Sequence, residues 1–147
     1  MAYWLFKTEP GTWGWADQLK RGAKGEHWNG VRNYQANNNM KAMKIGDLGF
    51  FYHSVDEKQI VGIVRIIREH YPDPSDEKGK FGMVDIEAVE SLPSPVTLQQ
   101  VKETEALADM VLVKNSRLSV QPVTTDEWKL VCKMGGLKKT PICIAQS

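Results

Sequence analysis

Leu48-Gly49-Phe50-Phe51-Tyr52-His53-Ser54-Val55 is followed, after Asp56-Glu57-Lys58-Gln59, by Ile60-Val61-Gly62-Ile63-Val64-Arg65-Ile66-Ile67-Arg68-Glu69, and this stretch decides the fold class. Both runs are rich in β-branched and aromatic residues, and the four polar residues between them read as a turn. The expectation is an antiparallel hairpin. Strand alternation puts Phe50, Tyr52 and Ser54 on one face and Phe51 and His53 on the other.

Working outward, Tyr71 to Lys80 is a loop by its Pro, Asp, Ser and Gly content, and Gly82 to Ser91 resumes as a strand alternating at Val84, Ile86 and Ala88. Toward the N-terminus, Ala2 to Phe6 predicts a strand and Thr12 a cap for a helix through Lys20. Arg21 to Gly25 is irregular, and Asn33 caps a helix to about Met43. Ser94-Pro95 and Thr97 open a short helix to about Glu103, and Arg117 to Val123 is a strand. Thr125-Asp126-Glu127-Trp128 starts a last helix that Gly135-Gly136 closes. Strands fill the middle and helices the edges. This favours an α+β fold, a curved or closed antiparallel sheet with helices packed at its edges, over alternating βαβ units.

At 147 residues and 41% hydrophobic content the chain suits one core. We expect a single domain over residues 1–137 and a loose tail over 138–147. No run approaches the roughly 18 apolar residues of a membrane span. The opening Met-Ala-Tyr-Trp-Leu-Phe-Lys reads as a strand rather than a signal peptide, so a cytoplasmic location and no membrane partner are expected. Cys132 and Cys143 fit neither a disulfide framework nor a four-ligand zinc site, and are read as free thiols. The net charge of +1 hides a segregation. Residues 1–44 carry seven Lys or Arg against three acids, residues 45–109 six against thirteen, and residues 110–147 six against two. If the ends meet in the fold, they can form one basic face.

No catalytic motif is present. His27, His53 and His70 lack metal-ligand spacing, and nucleophile-elbow, phosphate-loop and zinc-deaminase signatures are missing. His53 and Ser54 are strand neighbours pointing to opposite faces, a poor nucleophile–base pair. No catalytic residue, metal or cofactor is expected. The aromatics are more informative, because Trp4, Trp13, Trp15, Trp28, Tyr34 and Tyr52 crowd into the first 52 residues among Asn, Ser and basic groups. Flat walls beside donors and acceptors suit a planar polar ligand, and a base taken out of its stack also needs cations for its phosphates. Trp28, Asn33, Tyr52 and Ser54 can supply walls and edge readers, and Lys7, Arg32 and Arg117 the cations. Trp13 and Trp15 read as anchors from helix to core.

Four blocks carry a resemblance: Tyr3-Trp4-Leu5-Phe6-Lys7-Thr8-Glu9-Pro10, Trp28-Asn29-Gly30-Val31-Arg32-Asn33-Tyr34-Gln35-Ala36, Gly46-Asp47 with Phe50-Phe51-Tyr52-His53-Ser54, and Ser116-Arg117-Leu118-Ser119-Val120-Gln121-Pro122-Val123. In this order they resemble the EVE domain family. The resemblance implies a PUA-like β-barrel related to base-reading YTH and SRA domains, with no catalytic activity and a pocket for a modified base. It maps that pocket onto Trp4, Lys7, Glu9, Trp28, Asn33, Tyr34, Tyr52, Ser54, Arg117 and Ser119. We assign Trp28 and Tyr52 as stacking walls, Asn33 and Ser54 as edge readers, and Lys7 and Arg117 as phosphate or ring-oxygen contacts. Two positions depart from the family pattern: Asn37 stands where a basic residue is usual, and Val55 where Asn is common.

The expected function is therefore a non-catalytic module that holds a flipped, modified nucleobase of DNA or RNA, with an effector partner that nothing in the chain names. The alternatives are a module for a free ligand such as a nucleoside, and an enzyme working through Glu9, His53 or Ser54.

Overall fold

The computed structural model describes residues 2–55 and 57–142. Cys143 and residues 143–147 of the expected tail lie outside these, as does Asp56 of the hairpin turn. Strands β1 (Tyr3–Thr8), β2 (Glu26–His27), β3 (Leu48–His53), β4 (Gln59–Pro72), β5 (Gly82–Thr97) and β6 (Val120–Val123) form one sheet in the order β2-β5-β4-β3-β1-β6. The helices are α1 (Trp15–Arg21), α2 (Tyr34–Ala42), α3 (Leu98–Glu103), α4 (Val111–Lys114) and α5 (Thr125–Met134), with short 3-10 turns at 22–24 and 105–107.

The expected β3–β4 hairpin forms, with Leu48 opposite Arg65 and His53 opposite Gln59. The expected all-antiparallel barrel does not. β1 and β3 pair in parallel, Tyr3 against Leu48 through Thr8 against His53, because the chain between them crosses over through α1 and α2. The two outermost strands of the order, β2 and β6, are not joined, so the sheet is mixed and open. β5 also runs on to Thr97, past the predicted end at Ser91, with register shifts against β4 that bend the long pair.

Each central strand feeds two cores. Tyr3 and Leu5 of β1 and Phe50 and Tyr52 of β3 face α5, where Trp128 stacks on Tyr3 at 4.5 Å and on Phe50 at 4.1 Å. Trp4, Phe6 and Phe51 face the other way, onto Trp15, Trp28 and Met40. The order is helix, sheet, helix. Gly62 on β4 permits the second core: a Cβ there would lie 2.2 Å from the Trp15 ring. α5 begins at Thr125 as predicted, with Thr124 and Glu127 forming a capping box; α3 has a like box of Thr97 and Gln100 but begins only at Leu98, because Ser94 and Pro95, expected to open it, belong to β5. In the described part of the tail, Pro141 O accepts the Trp128 indole hydrogen at 2.7 Å. The cap of α1 differs from expectation. Gly14 precedes the helix and its N–H donates to Asp17 Oδ2, while Thr12 lies outside it.

The two basic ends of the chain do meet. β1 and β6 are antiparallel neighbours, Tyr3 opposite Val123 and Phe6 opposite Val120.

Candidate functional site

Beyond the end of β1 two adjoining cavities open, with Thr8, Thr12, Trp28 and Asn29 lining both. The first, of about 270 Å³, is completed by Trp13, Glu26 and His27. The second, of about 400 Å³, is completed by Lys7, Glu9, Gly30, Val31, Arg32 and Ser119. Together they form one cleft with an indole-lined end and a cationic end.

The indole end is built by three local devices. Trp28 N donates to Val84 O at 2.8 Å, which ties the chain after β2 to the sheet. The Trp28 ring meets Phe6 and Phe51 edge to face, at 5.3 and 5.8 Å, so its orientation is fixed by the core beneath. Trp13 is half-buried and its Nε1 donates to Gln18 Oε1 at 3.0 Å, while Thr8 Oγ1 donates to Trp13 O. The segment holding Trp13 is anchored from behind, because Trp15 N donates to His53 Nε2 at 3.0 Å and Trp15 Nε1 to Ser91 Oγ at 2.8 Å. With Nε2 accepting, His53 carries its hydrogen on Nδ1, 2.9 Å from Glu57 Oε2.

At the cationic end, Lys7 Nζ donates to Ser116 O at 2.5 Å and stands 5.6 Å from the Tyr52 ring centroid. Burial pushes the Lys7 ammonium below the usual lysine range. Lys7 N donates to Ser119 O, so β1 and the 116–119 segment are stitched at both backbone and side chain. Arg32 donates to Asp73 Oδ2 at 3.3 Å and to Ser75 Oγ at 3.0 Å. Asp73 is buried and also accepts from Gly30 N at 2.8 Å. Burial alone would raise its carboxyl, but hydrogen bonds from Ser75, Gly30 and Arg32 outweigh that and hold it at about 2.

Of the residues expected at the site, Lys7, Glu9, Trp28, Arg32 and Ser119 line the cleft. Arg117 is exposed on the same segment as Ser116 and Ser119 and has no hydrogen bond or ion pair among the described residues. Five other expected residues lie outside the cleft lining. Trp4 is core, its Nε1 spent on Asp47 Oδ2 at 3.0 Å. Tyr52 is 2% exposed and belongs to the core on the opposite sheet face from Trp28, so it backs Lys7 instead of forming a second wall. Asn33 spends its side-chain oxygen capping α2 through Ala36 N. Ser54 donates both N–H and Oγ–H to Thr8 O, at 2.8 and 3.1 Å, extending the β1–β3 pairing. Neither Asn33 nor Ser54 lines the cleft. Tyr34 is 61% exposed and leans on Phe81 outside it, beside a separate depression that Arg32 also borders.

The second wall is Trp13, which packs against the core beside Trp15 as expected and also lines the cleft. Glu26 and His27 were not anticipated: β2 is two residues long and carries no periodic signal. Asn37 is buried, with Oδ1 accepting from Gly82 N and lying 3.0 Å from His70 Nε2, so the missing basic residue subtracts no cation from the cleft. Among the described residues no group of three metal-binding side chains occurs.

The EVE domain family model matches residues 2–134. Thymocyte nuclear protein 1 of Gallus gallus is 33% identical over 169 aligned positions, covering 90% of this chain and 68% of the chicken protein. A Rhodopseudomonas palustris protein solved by NMR is 60% identical with a TM-score of 0.90, over 95% of this chain and 96% of its own. Human THYN1, solved in complex with DNA containing 5-methylcytosine, is 33% identical with a TM-score of 0.83, over 96% of this chain and all of its own.

Proposed function

The chain belongs to the EVE domain family, and from that membership and the two-ended cleft we propose that it is a non-catalytic module that binds nucleic acid and holds a flipped, modified base. The observation that carries this is the pairing of Trp13 and Trp28 at one end of a cleft whose other end presents Lys7 and Arg32. An extruded base brings a flat π-face and an edge of donors and acceptors, and it remains tethered to phosphates on either side. Indoles suit the face, and cations suit the phosphates. The THYN1 complex supports the modified-base part of the reading, since that relative, whose solved chain is matched in full, is held with DNA containing 5-methylcytosine.

Arg117, exposed and without a hydrogen bond or ion pair among the described residues, is proposed to meet a phosphate, and the exposed Tyr34 to stack on a neighbouring base. His53 and Ser54 are each engaged in structural hydrogen bonds, which supports a binding role over a nucleophilic one. The protein is proposed to act in the cytoplasm.

A free-nucleoside module is the second reading, favoured by the cleft's modest size and the mixed charge of Glu9, Glu26, Lys7 and Arg32 around it. Calorimetric titration with 5-methyldeoxycytidine and with oligonucleotides carrying the same base, each at two salt concentrations, separates the two. The nucleic-acid reading requires much tighter binding of the oligonucleotide, with affinity falling as salt rises. Equal affinity for the free nucleoside, insensitive to salt, contradicts it.

A further inference from the structure

The indole end of the cleft contains one carboxyl group that the family resemblance did not place there. Glu26 lines the cavity with Trp13 and Trp28, and its side chain is 18% exposed. One carboxylate oxygen is fixed: Oε1 accepts from His27 N at 3.1 Å and lies 3.1 Å from His27 Nδ1. The other oxygen, Oε2, has no hydrogen-bond partner among the described residues. β2 itself is held to β5, Glu26 opposite Ile86 and His27 opposite Asp85, so the carboxylate sits on a paired strand and not on a free loop.

We propose that Glu26 is the specificity-determining residue of the cleft, with Oε2 accepting a hydrogen bond from the exocyclic amine of the bound base. This rests on the base-holding reading given above. A carboxylate is an acceptor only, so it pairs with the N4 amine of a cytosine and opposes the O4 carbonyl of a thymine or uracil, where two acceptors would face each other. Glu26 thus selects amino pyrimidines over their oxo counterparts. His27 is a positioning residue, because its two contacts to Oε1 orient the carboxylate and leave Oε2 toward ligand. The division of labour follows from the chemistry. Indole faces grip any base, cations grip any phosphate, and only a group that tells donor from acceptor reads the ring edge.

The test compares 5-methylcytosine with thymine, which share the ring and the C5 methyl and differ at position 4 in amine against carbonyl. Each, and unmodified cytosine, is placed opposite an abasic site in the same DNA duplex, so that no pairing partner biases extrusion. Wild-type protein is expected to prefer 5-methylcytosine over thymine by about tenfold, the scale of one good edge contact. Glu26→Gln, whose amide both donates and accepts, is expected to level or invert that ratio while leaving the 5-methylcytosine-to-cytosine ratio in place. A Glu26→Gln protein, shown folded by an unchanged unfolding midpoint, that keeps the wild-type thymine discrimination overturns the proposal. So does a wild-type protein that separates methylated from unmethylated cytosine but does not distinguish 5-methylcytosine from thymine. Loss of all binding in the wild type would instead remove the base-holding reading itself, and this proposal with it.

Discussion

The buried carboxylate of Asp73 accepts the backbone N–H of Gly30 at 2.8 Å, and through that bond the loop after β4 supports the floor of the cleft. Gly30 adopts φ of +80°, a backbone conformation that suits glycine, and the turn it makes carries the chain from Trp28 to Arg32. One buried acid thus holds both a turn and a cation in place.

The Asp73 carboxyl is held at about 2 in the folded protein, against about 3.9 in an unfolded chain. Its folded value is depressed, so its stabilisation is complete above about pH 4 and is lost as pH falls toward 2. The difference amounts to about 2.5 kcal/mol. Urea unfolding across that window is expected to show a steep loss of stability in the wild type and a flatter profile in Asp73→Asn, which starts lower at neutral pH. Parallel profiles would mean that Asp73 does not titrate as described.

Trp13→Ala is the cleanest probe of the stacking walls, because Trp13 is half-buried whereas Trp28 is also packed on Phe6 and Phe51. It should weaken oligonucleotide binding by about 1 to 3 kcal/mol, the range for one base–aromatic contact, with little change in unfolding midpoint. Trp28→Ala should lose binding and stability together. Unaltered affinity in Trp13→Ala would remove Trp13 from the site.

Val55 occupies φ of +73°, in the left-handed region that β-branched residues strongly disfavour and Asn tolerates. This gives a physical reason for the Asn that the family resemblance leads one to expect at this position. Val55→Asn should raise stability by about 1 kcal/mol, measured as a higher urea midpoint at unchanged slope. A lower midpoint would show that the exposed valine makes a contact worth more than the backbone strain.

Lys7→Gln should lower affinity for oligonucleotides of every sequence and reduce the slope of log affinity against log salt by about 0.7 to 0.9. An unchanged slope would mean that Lys7, already bonded to Ser116 O and standing by Tyr52, is a structural cation only.

Local chemistry was readable from the chain. The β3–β4 hairpin, the Asn33 cap, the start of α5 at Thr125 and its stop at Gly135 each depend on a few adjacent residues, and each is found. Parallel pairing of β1 with β3 was not readable, because it depends on how the segment between them crosses the sheet. Tyr52 was misplaced for a related reason: Leu48 to His53 is buried on both faces, so alternation separates two faces without saying which one meets the cleft. Of the residues that line the cleft, Trp28, Lys7 and Arg32 were named from their residue types and Glu9 and Ser119 only through the family resemblance. Glu26 and His27 escaped because a two-residue strand leaves no period to detect, and only their adjacency to Trp28 pointed to them.

The most direct test of the central claim is the affinity of the protein for matched DNA and RNA oligonucleotides that differ in one base, unmodified, methylated or hydroxymethylated. Burying one added methyl against the indoles is worth about 0.8 kcal/mol, so a methylated oligonucleotide is expected to bind at least about fourfold more tightly than its unmodified match. Equal affinity for all of them, or binding to none, would contradict it.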